Sequence, residues 1–144
     1  MTEGPQDTSK DTSKDTSKGA AKAPAVRPVI AVVDDDPAVS GSLKFALELE
    51  GFAVRTFHSG AELLRGGDLE GFNCFVVDQR MPEMTGMELV EVLRERRILT
   101  PAILIISHPN AALNARAQKA AIPIVEKPLL GNALVERIRE ACWA

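Results

Sequence analysis

From Pro28 onward, short continuous apolar runs alternate with longer segments in which apolar residues recur at helical spacing. Continuous rather than alternating hydrophobicity predicts strands that are covered on both faces. Five such strands followed by helices predict a doubly wound parallel sheet of the α/β class. The runs are VIAVV (29–33), AVRTF (53–57), CFVV (74–77), AILII (102–106) and IPIV (122–125).

The segments between the runs carry the start and stop signals of helices. Asp36 before Pro37 is typical of an N-cap residue followed by proline at the first helical position, and Gly51 is placed to end that helix. Thr85 with Glu88 predicts a capping box for a helix that extends to about residue 96. Three apolar residues are expected to line one face of the last helix: Leu134, Ile138 and Cys142.

A different composition precedes the first run. The tetrapeptide DTSK occurs three times between Asp7 and Lys18, and an Ala/Pro/Lys stretch follows it. Such a segment buries too little apolar surface to offset the entropy lost on ordering. Residues 1–27 are therefore expected to be a disordered tail, interpreted as a flexible spacer rather than a docking or modification segment, and residues 28–144 the folded domain.

The composition excludes several classes of protein. With 144 residues, 45% of them apolar, and a net charge of −3, the chain supports one globular core, and its mildly acidic balance argues against direct nucleic-acid binding. Cys74 and Cys142 form no CxxC motif, which favours buried thiols over a disulfide or a metal site. No apolar run is long enough for a membrane span or a signal peptide, so we expect a cytoplasmic protein without membrane contact.

Acidic residues stand at the carboxyl ends of two predicted strands, where doubly wound sheets hold their ligands. Asp34 and Asp35 follow the first strand, and Asp78 follows the third. Three carboxylates at one rim repel each other unless a cation lies among them, and hard oxygen ligands that leave room for water favour Mg²⁺. Asp78 also has a chemical use, because a carboxylate can attack phosphorus and form an aspartyl phosphate.

Two further residues at the predicted rim suit an anion rather than a metal. Ser107 follows the fourth strand, and Lys127, which precedes Pro128, follows the fifth. A hydroxyl donor and an ammonium charge beside a Mg²⁺ site fit a phosphoryl group. The rim is therefore predicted to combine a nucleophile, a cation site and an anion site.

The motifs VVDDDP, VVDQRMPEMTG, IIS and IVEKP resemble, in their order and spacing, those of bacterial two-component response-regulator receiver domains. The likeness covers about residues 29–143 and is greatest to receivers of the nodulation and nitrogen-fixation type regulators. It implies a flavodoxin-like (βα)5 sandwich with a five-stranded parallel sheet in the order 2-1-3-4-5. It also implies a phosphorylation-dependent switch, not an enzyme, that takes its phosphoryl group from a sensor histidine kinase or a histidine phosphotransfer protein.

The resemblance assigns roles to the rim residues. It makes Asp78 the phosphoacceptor, and it makes Ser107 and Lys127 the contacts of the phosphoryl group. It implies a cis peptide bond before Pro128, which would turn Lys127 toward the site. Four groups are the implied Mg²⁺ ligands: the carboxylates of Asp34, Asp35 and Asp78 and the backbone carbonyl of Arg80.

Three features depart from the family pattern. The residue after Ser107 is usually small, but here it is His108. The position of the family's switch aromatic aligns with Ile124, which puts the usual coupling between the hydroxyl residue and a buried ring in doubt. The segment between Ser107 and Lys127 is about two residues short and lacks the customary Ala-Gly before the fifth strand, so we expect a shortened or displaced fourth helix.

The leading expectation is a single-domain regulator that serves as a switch or as a phosphorelay component, because the chain ends where its last helix ends. A homodimer is compatible with the family. One alternative is a receiver-like adaptor that binds partners without phosphorylation, which His108 and Ile124 favour and the complete rim opposes. Another is a Mg²⁺-dependent aspartyl-phosphate phosphatase, whose DxDx(T/V) motif the residues after Asp78 do not match.

Overall fold

Five parallel strands form the centre of the fold. The structure, a computed structural model, describes residues 27–108, 110–129 and 131–143, so the predicted tail up to residue 26 lies outside the described residues. The strands pair in the order β2-β1-β3-β4-β5, which confirms the predicted fold class. Their bounds are β1 Val29–Val33, β2 Ala53–Phe57, β3 Cys74–Asp78, β4 Ala102–Ile106 and β5 Ile124–Glu126.

Helices cover both faces of this sheet. In the described ranges they are α1 Pro37–Leu49, α2 Gly60–Arg65, α3 Gly86–Glu95, α4 Ala111–Lys119 and α5 Ala133–Trp143, with a 3₁₀ turn at Leu69–Gly71. None of these helices has the combined length and apolar character that a membrane crossing requires.

The predicted N-terminal caps are present on α1 and α3. The Asp36 carboxylate accepts a hydrogen bond from the Ala38 N–H at 3.0 Å, with Pro37 in the first helical turn. Thr85 and Glu88 make both hydrogen bonds of the capping box. Because α1 starts within a few residues of β1, its cap fixes the loop that carries the first acidic residues.

An apolar core lies on each side of the sheet. On one side, alternate strand residues such as Phe75 and Leu104 pack with apolar residues of α2, α3 and α4. On the other side, Ile30 and Ile103 pack with residues of α1 and α5, including the predicted Ile138. Burial of each such side chain stabilises the fold by about 1.5–3 kcal/mol, and burial on both faces explains why the strand runs are continuously apolar.

Both cysteines are free thiols, as predicted. Cys74 is buried in β3, and Cys142 is half-buried in α5. Burial, with a smaller contribution from Cys142, raises the pKa of the Cys74 thiol to about 12. Burial also raises the pKa of Cys142. A thiol that stays protonated at neutral pH packs as a small apolar side chain.

The fifth strand is shorter at its start than predicted, because β5 begins at Ile124 and the apolar run began at Ile122. The Ile122 N–H instead donates to the Ala117 carbonyl at 2.8 Å, and the Ala121 N–H donates to the Gln118 carbonyl at 3.1 Å. These two bonds form a Schellman motif that ends the nine-residue α4. Ala121 has a φ of 60°. The turn therefore has the left-handed backbone conformation that glycine favours, although alanine occupies this position.

The same motif ends α1 and α3. Gly51, with a φ of 100°, occupies the left-handed position after α1, and Arg97, with a φ of 65°, occupies it after α3. The next residue in each case, Phe52 or Ile98, donates its N–H back into the last turn of the helix. Three of the helix ends therefore depend on a residue that tolerates the left-handed conformation.

We predict that Ala121→Gly raises the free energy of unfolding by about 0.5–1 kcal/mol, because glycine adopts the left-handed conformation without the steric cost that alanine carries. Gly51→Ala is the matched reverse change, since a Cβ there would meet no atom within 4 Å and only the backbone conformation opposes it. We expect it to cost about 1 kcal/mol. Urea unfolding measures both, and shifts of the same sign would contradict this account of the turn.

Candidate functional site

The carboxyl ends of β1, β3 and β4 and the loop after β5 meet at one cleft of about 260 Å³. The carboxylates predicted as metal ligands and the two predicted phosphoryl contacts all lie in it. Its lining residues are Asp34, Asp35, Asp36, Asp78, Arg80, Met81, Pro82, Ser107, His108 and Lys127.

Three carboxylates converge within this cleft. Asp34, Asp35 and Asp78 each place an oxygen within 4.8 Å of the others. Asp34 is 3% exposed and Asp78 is 5% exposed, whereas Asp35 is exposed to solvent. Anionic groups this close in a partly dehydrated site repel one another. An incomplete set of hard oxygen ligands with one side open to water fits Mg²⁺, and Arg80 lines the same cleft.

Ionisation of Asp34 in the folded protein has an electrostatic cost. Burial raises the pKa of its carboxyl group, and the negative charges of Asp78 and Asp35 raise this pKa further. The Asp36 N–H, which donates to Asp34 Oδ1 at 2.9 Å, and the positive charge of Lys127 lower it in part. The backbone therefore holds Asp34 in place although its neighbours oppose its ionisation.

Lys127 supplies positive charge to the cleft. Its Nζ lies 2.9 Å from Asp78 Oδ1. Burial lowers the pKa of the ammonium group, but the hydrogen bond to Asp78 and the charges of the carboxylates outweigh burial, and the pKa is raised. The Lys127–Pro128 peptide bond is cis. The Lys127 N–H donates to the Ile106 carbonyl at 2.7 Å, which ties this loop to the end of β4.

Gln79 has a structural role that sequence reasoning missed. Its carbonyl accepts a hydrogen bond from the Gly86 N–H at 3.1 Å, and its side-chain Oε1 accepts one from the Met87 N–H at 2.8 Å. Gln79 thus caps α3 from the end of β3 and fixes the loop between them. A Cβ at Gly86 would lie 2.5 Å from the Asp78 carbonyl oxygen, so this close approach requires glycine. Local capping rules give no signal for a side-chain cap eight residues away.

The remaining predicted positions lie in two different places. Ser107 and His108 are exposed and line the cleft directly after β4. Ile124, the predicted switch position, is half-buried and packs against the core that α3 and α4 cover. The structure therefore brings the predicted phosphoryl contacts to the carboxylates and places the switch position against the core.

Comparisons with known families and proteins match the greater part of the chain. The family model described as "Response regulator receiver domain" matches residues 30–139. The transcriptional regulatory protein FixJ of Rhizobium meliloti is 34% identical over 113 residues, which are 78% of this chain and 55% of that protein. The C4-dicarboxylate transport transcriptional regulatory protein DctR of Rhodobacter capsulatus is 34% identical over 110 residues, with 74% and 56% covered. The chain spans about half the length of these curated relatives.

Solved structures of similar chains share this fold. The crystal structure of FixJ-N is 33% identical, with a TM-score of 0.73 over 81% of this chain and 94% of that chain. A CheY-like response regulator receiver domain protein from Methanospirillum hungatei is 29% identical, with a TM-score of 0.74 over 81% and 94% of the two chains.

We predict that Asp34→Asn raises the free energy of unfolding by about 1 kcal/mol at pH 7 without divalent cations, because it removes one of three repelling charges. The asparagine Oδ1 retains an acceptor for the Asp36 N–H. Since the folded-state pKa of Asp34 is raised, the folded protein binds this proton more tightly than the unfolded chain. The cost is therefore present above the folded-state pKa, and it is lost as the pH falls through that pKa.

Urea unfolding of both proteins at pH 7 and at lower pH measures this difference, which should shrink on acidification. Mg²⁺ should stabilise the wild type more than the variant, because the variant has lost a charged ligand. A variant that is less stable than the wild type at pH 7 without cation would show that the Asp34 charge is not unfavourable.

Proposed function

This chain belongs to the response regulator receiver domain family, and from that membership and the geometry of the cleft we propose that it accepts a phosphoryl group on Asp78. One observation carries the proposal. The buried Asp78 carboxylate is paired with Lys127 at 2.9 Å and lies within 4.8 Å of two further carboxylates. Nucleophile, positive charge and cation ligands therefore meet at one point. Receiver domains are signalling switches that histidine kinases phosphorylate.

The proposed step transfers the phosphoryl group from a phosphohistidine of a sensor histidine kinase or a phosphotransfer protein. An Asp78 oxygen bonds to phosphorus, the bond from phosphorus to the donor nitrogen breaks, and that nitrogen keeps the electron pair. Lys127 offsets the charge on the phosphoryl oxygens, and the Ser107 hydroxyl donates a hydrogen bond to one of them. Lys127 already pairs with the Asp78 carboxylate before the transfer. As negative charge moves from this carboxylate to the phosphoryl oxygens, the ammonium group pairs with those oxygens instead.

Mg²⁺ is the proposed cofactor. The carboxylates of Asp34, Asp35 and Asp78 and the backbone carbonyl of Arg80 would hold it, and when bound it neutralises charge on the phosphoryl oxygens. The contribution of the chain itself is to keep the carboxylates together despite their repulsion. The Asp36 N–H stabilises the Asp34 carboxylate by a hydrogen bond, and Lys127 stabilises the Asp78 carboxylate by an ion pair.

The relatives limit how far this proposal extends. FixJ and DctR are transcriptional regulatory proteins of about twice the matched length. Action as a single-domain switch or phosphorelay component, homodimer formation, the absence of direct contact with nucleic acid and a cytoplasmic location therefore stay predictions. Against the adaptor alternative, the five side chains proposed to act in phosphorylation, Asp34, Asp35, Asp78, Ser107 and Lys127, all line one cleft.

We predict that acetyl phosphate with Mg²⁺ adds one phosphoryl group to the wild type and none to Asp78→Asn. Lys127→Ala should slow the reaction by about 10²-fold or more, the scale of losing one donor to a charged transition state. Lys44→Ala is the matched control, since Lys44 pairs with Glu48 on the exposed surface of α1. Intact mass against time measures all four proteins, and a wild-type gain in Asp78→Asn would refute the assignment.

We also predict that beryllofluoride, a phosphoryl mimic, changes backbone amide shifts mainly around Asp35, Asp78, Ser107 and Lys127, with little change at Ile124. Ile124 is half-buried against the core, is stiff at its first side-chain torsion and has no polar group to exchange between solvent and protein. Its contribution to the energy difference between two states is therefore small.

Ile124→Tyr supplies the aromatic ring that the family usually carries, and it should extend the response into β5 and α5. Heteronuclear NMR of both proteins with and without beryllofluoride is the measurement. Extensive shifts across β5 and α5 of the wild type would contradict the weak coupling expected of Ile124.

A further inference from the structure

A cleft of about 250 Å³ lies at the amino end of the sheet, opposite the acidic cleft. Its walls are the first residues of β4, the turn before β5, the end of α3 and the last turns of α5. The acidic cleft lies at the carboxyl ends of the strands, where doubly wound sheets hold their ligands. The amino-end cleft therefore has no part in the chemistry proposed for Asp78.

Most of the residues that line the amino-end cleft are apolar. Pro101 lines it directly before β4, Pro123 lines it directly before β5, and Ala141 lines it from α5. Small-molecule sites combine apolar walls with a few polar groups, and they usually measure roughly 300–1,000 Å³. A cleft of about 250 Å³ therefore suits a ligand with a compact apolar body.

Arg94 supplies this cleft with a positive charge that has no acidic partner among the described residues. The side chain is half-buried, and its Nη1 donates a hydrogen bond to the Ile98 carbonyl at 2.7 Å. Burial lowers the pKa of the guanidinium group, because the charged form loses hydration. A guanidinium group has five N–H donors in a planar fork, so the bond to Ile98 leaves most of them for a ligand.

The other two charged residues of the lining neutralise each other. Arg137 donates to Glu140 at 3.2 Å, and more than half of each side chain is exposed at the edge of the cleft. Arg94 is therefore the uncompensated charge of the lining. A partly dehydrated cation without a partner is unfavourable, and a bound anion restores part of the lost interaction.

We propose that the amino-end cleft binds a small organic carboxylate. The carboxylate group pairs with Arg94 through two parallel hydrogen bonds, and the apolar body of the ligand packs against Pro101, Pro123 and Ala141. A single uncompensated arginine balances a monoanion, whereas a phosphate dianion would leave a negative charge among apolar walls. This site is separate from the proposed phosphorylation and does not depend on it.

Benzoate is the probe, because it joins a carboxylate to a rigid apolar ring, and benzyl alcohol is its uncharged counterpart. Heteronuclear NMR titration of the full chain with each compound measures the two dissociation constants. Benzoate should give saturable amide shifts around Arg94, Ile103 and Ala141, with little change at Asp78. Benzyl alcohol should bind more weakly, since it cannot form the ion pair.

Arg94→Gln should weaken benzoate binding by about tenfold or more, the scale of hydrogen bonds to a charged group, and should leave benzyl alcohol binding unchanged. Arg94→Lys should have an intermediate affinity for benzoate, because an ammonium group keeps the charge but loses the planar fork. Arg96→Gln is the matched control for net charge and should bind benzoate as the wild type does. Arg96 is an exposed arginine at the end of the same helix, and it is not among the residues that line the cleft.

The uncharged compound separates binding from structure, because Arg94 also holds the Ile98 carbonyl. Equal weakening of both compounds in Arg94→Gln would show a structural effect and overturn the inference. Ala141→Leu keeps the arginine and fills part of the apolar wall, so it should weaken both compounds, with urea unfolding as the check that the chain still folds. Wild-type affinity for benzoate in Ala141→Leu or Arg94→Gln, or no saturable shifts in the wild type, would overturn the site and leave the proposed phosphorylation of Asp78 untouched.

Discussion

The ion pair between Lys127 and Asp78 is the interaction on which the acidic cleft depends. Three carboxylates lie within 4.8 Å of one another, and the Lys127 ammonium group, 2.9 Å from Asp78 Oδ1, offsets part of their charge. The pair joins the end of β3 to the loop after β5, two strands away in the sheet. Strand order and charge balance are therefore linked, because this order places the lysine across β4 from the nucleophile.

The sequence was enough to predict most of the residues that line the acidic cleft, for a physical reason. A continuous apolar run specifies a buried parallel strand, and parallel strands place their carboxyl ends on one rim. The positions of Asp34, Asp78 and Lys127 relative to their runs were therefore enough to predict that they meet. The N-caps of α1 and α3 were equally predictable, because Asp36 and Thr85 bind backbone N–H groups only two or three residues further along the chain.

The features that the sequence did not reveal depend on contacts between distant segments. The Gln79 side chain caps a helix that starts beyond a loop, so its role depends on how the fold brings the end of β3 next to the start of α3. Ile122 was assigned to a strand because it belongs to an apolar run. In the structure its N–H donates to the Ala117 carbonyl instead. A hydrophobic pattern alone does not distinguish a buried residue that ends a helix from one that begins a strand.

Trp143, the single tryptophan of the chain, stacks on Phe52 with 6.1 Å between the ring centroids. Phe52 directly precedes β2, at the amino end of the sheet, and the acidic cleft lies at the opposite end. Intrinsic tryptophan fluorescence of this chain therefore reports on the docking of α5. It suits unfolding curves, whereas an optical assay for metal or phosphoryl binding needs a fluorophore introduced at the other end of the sheet.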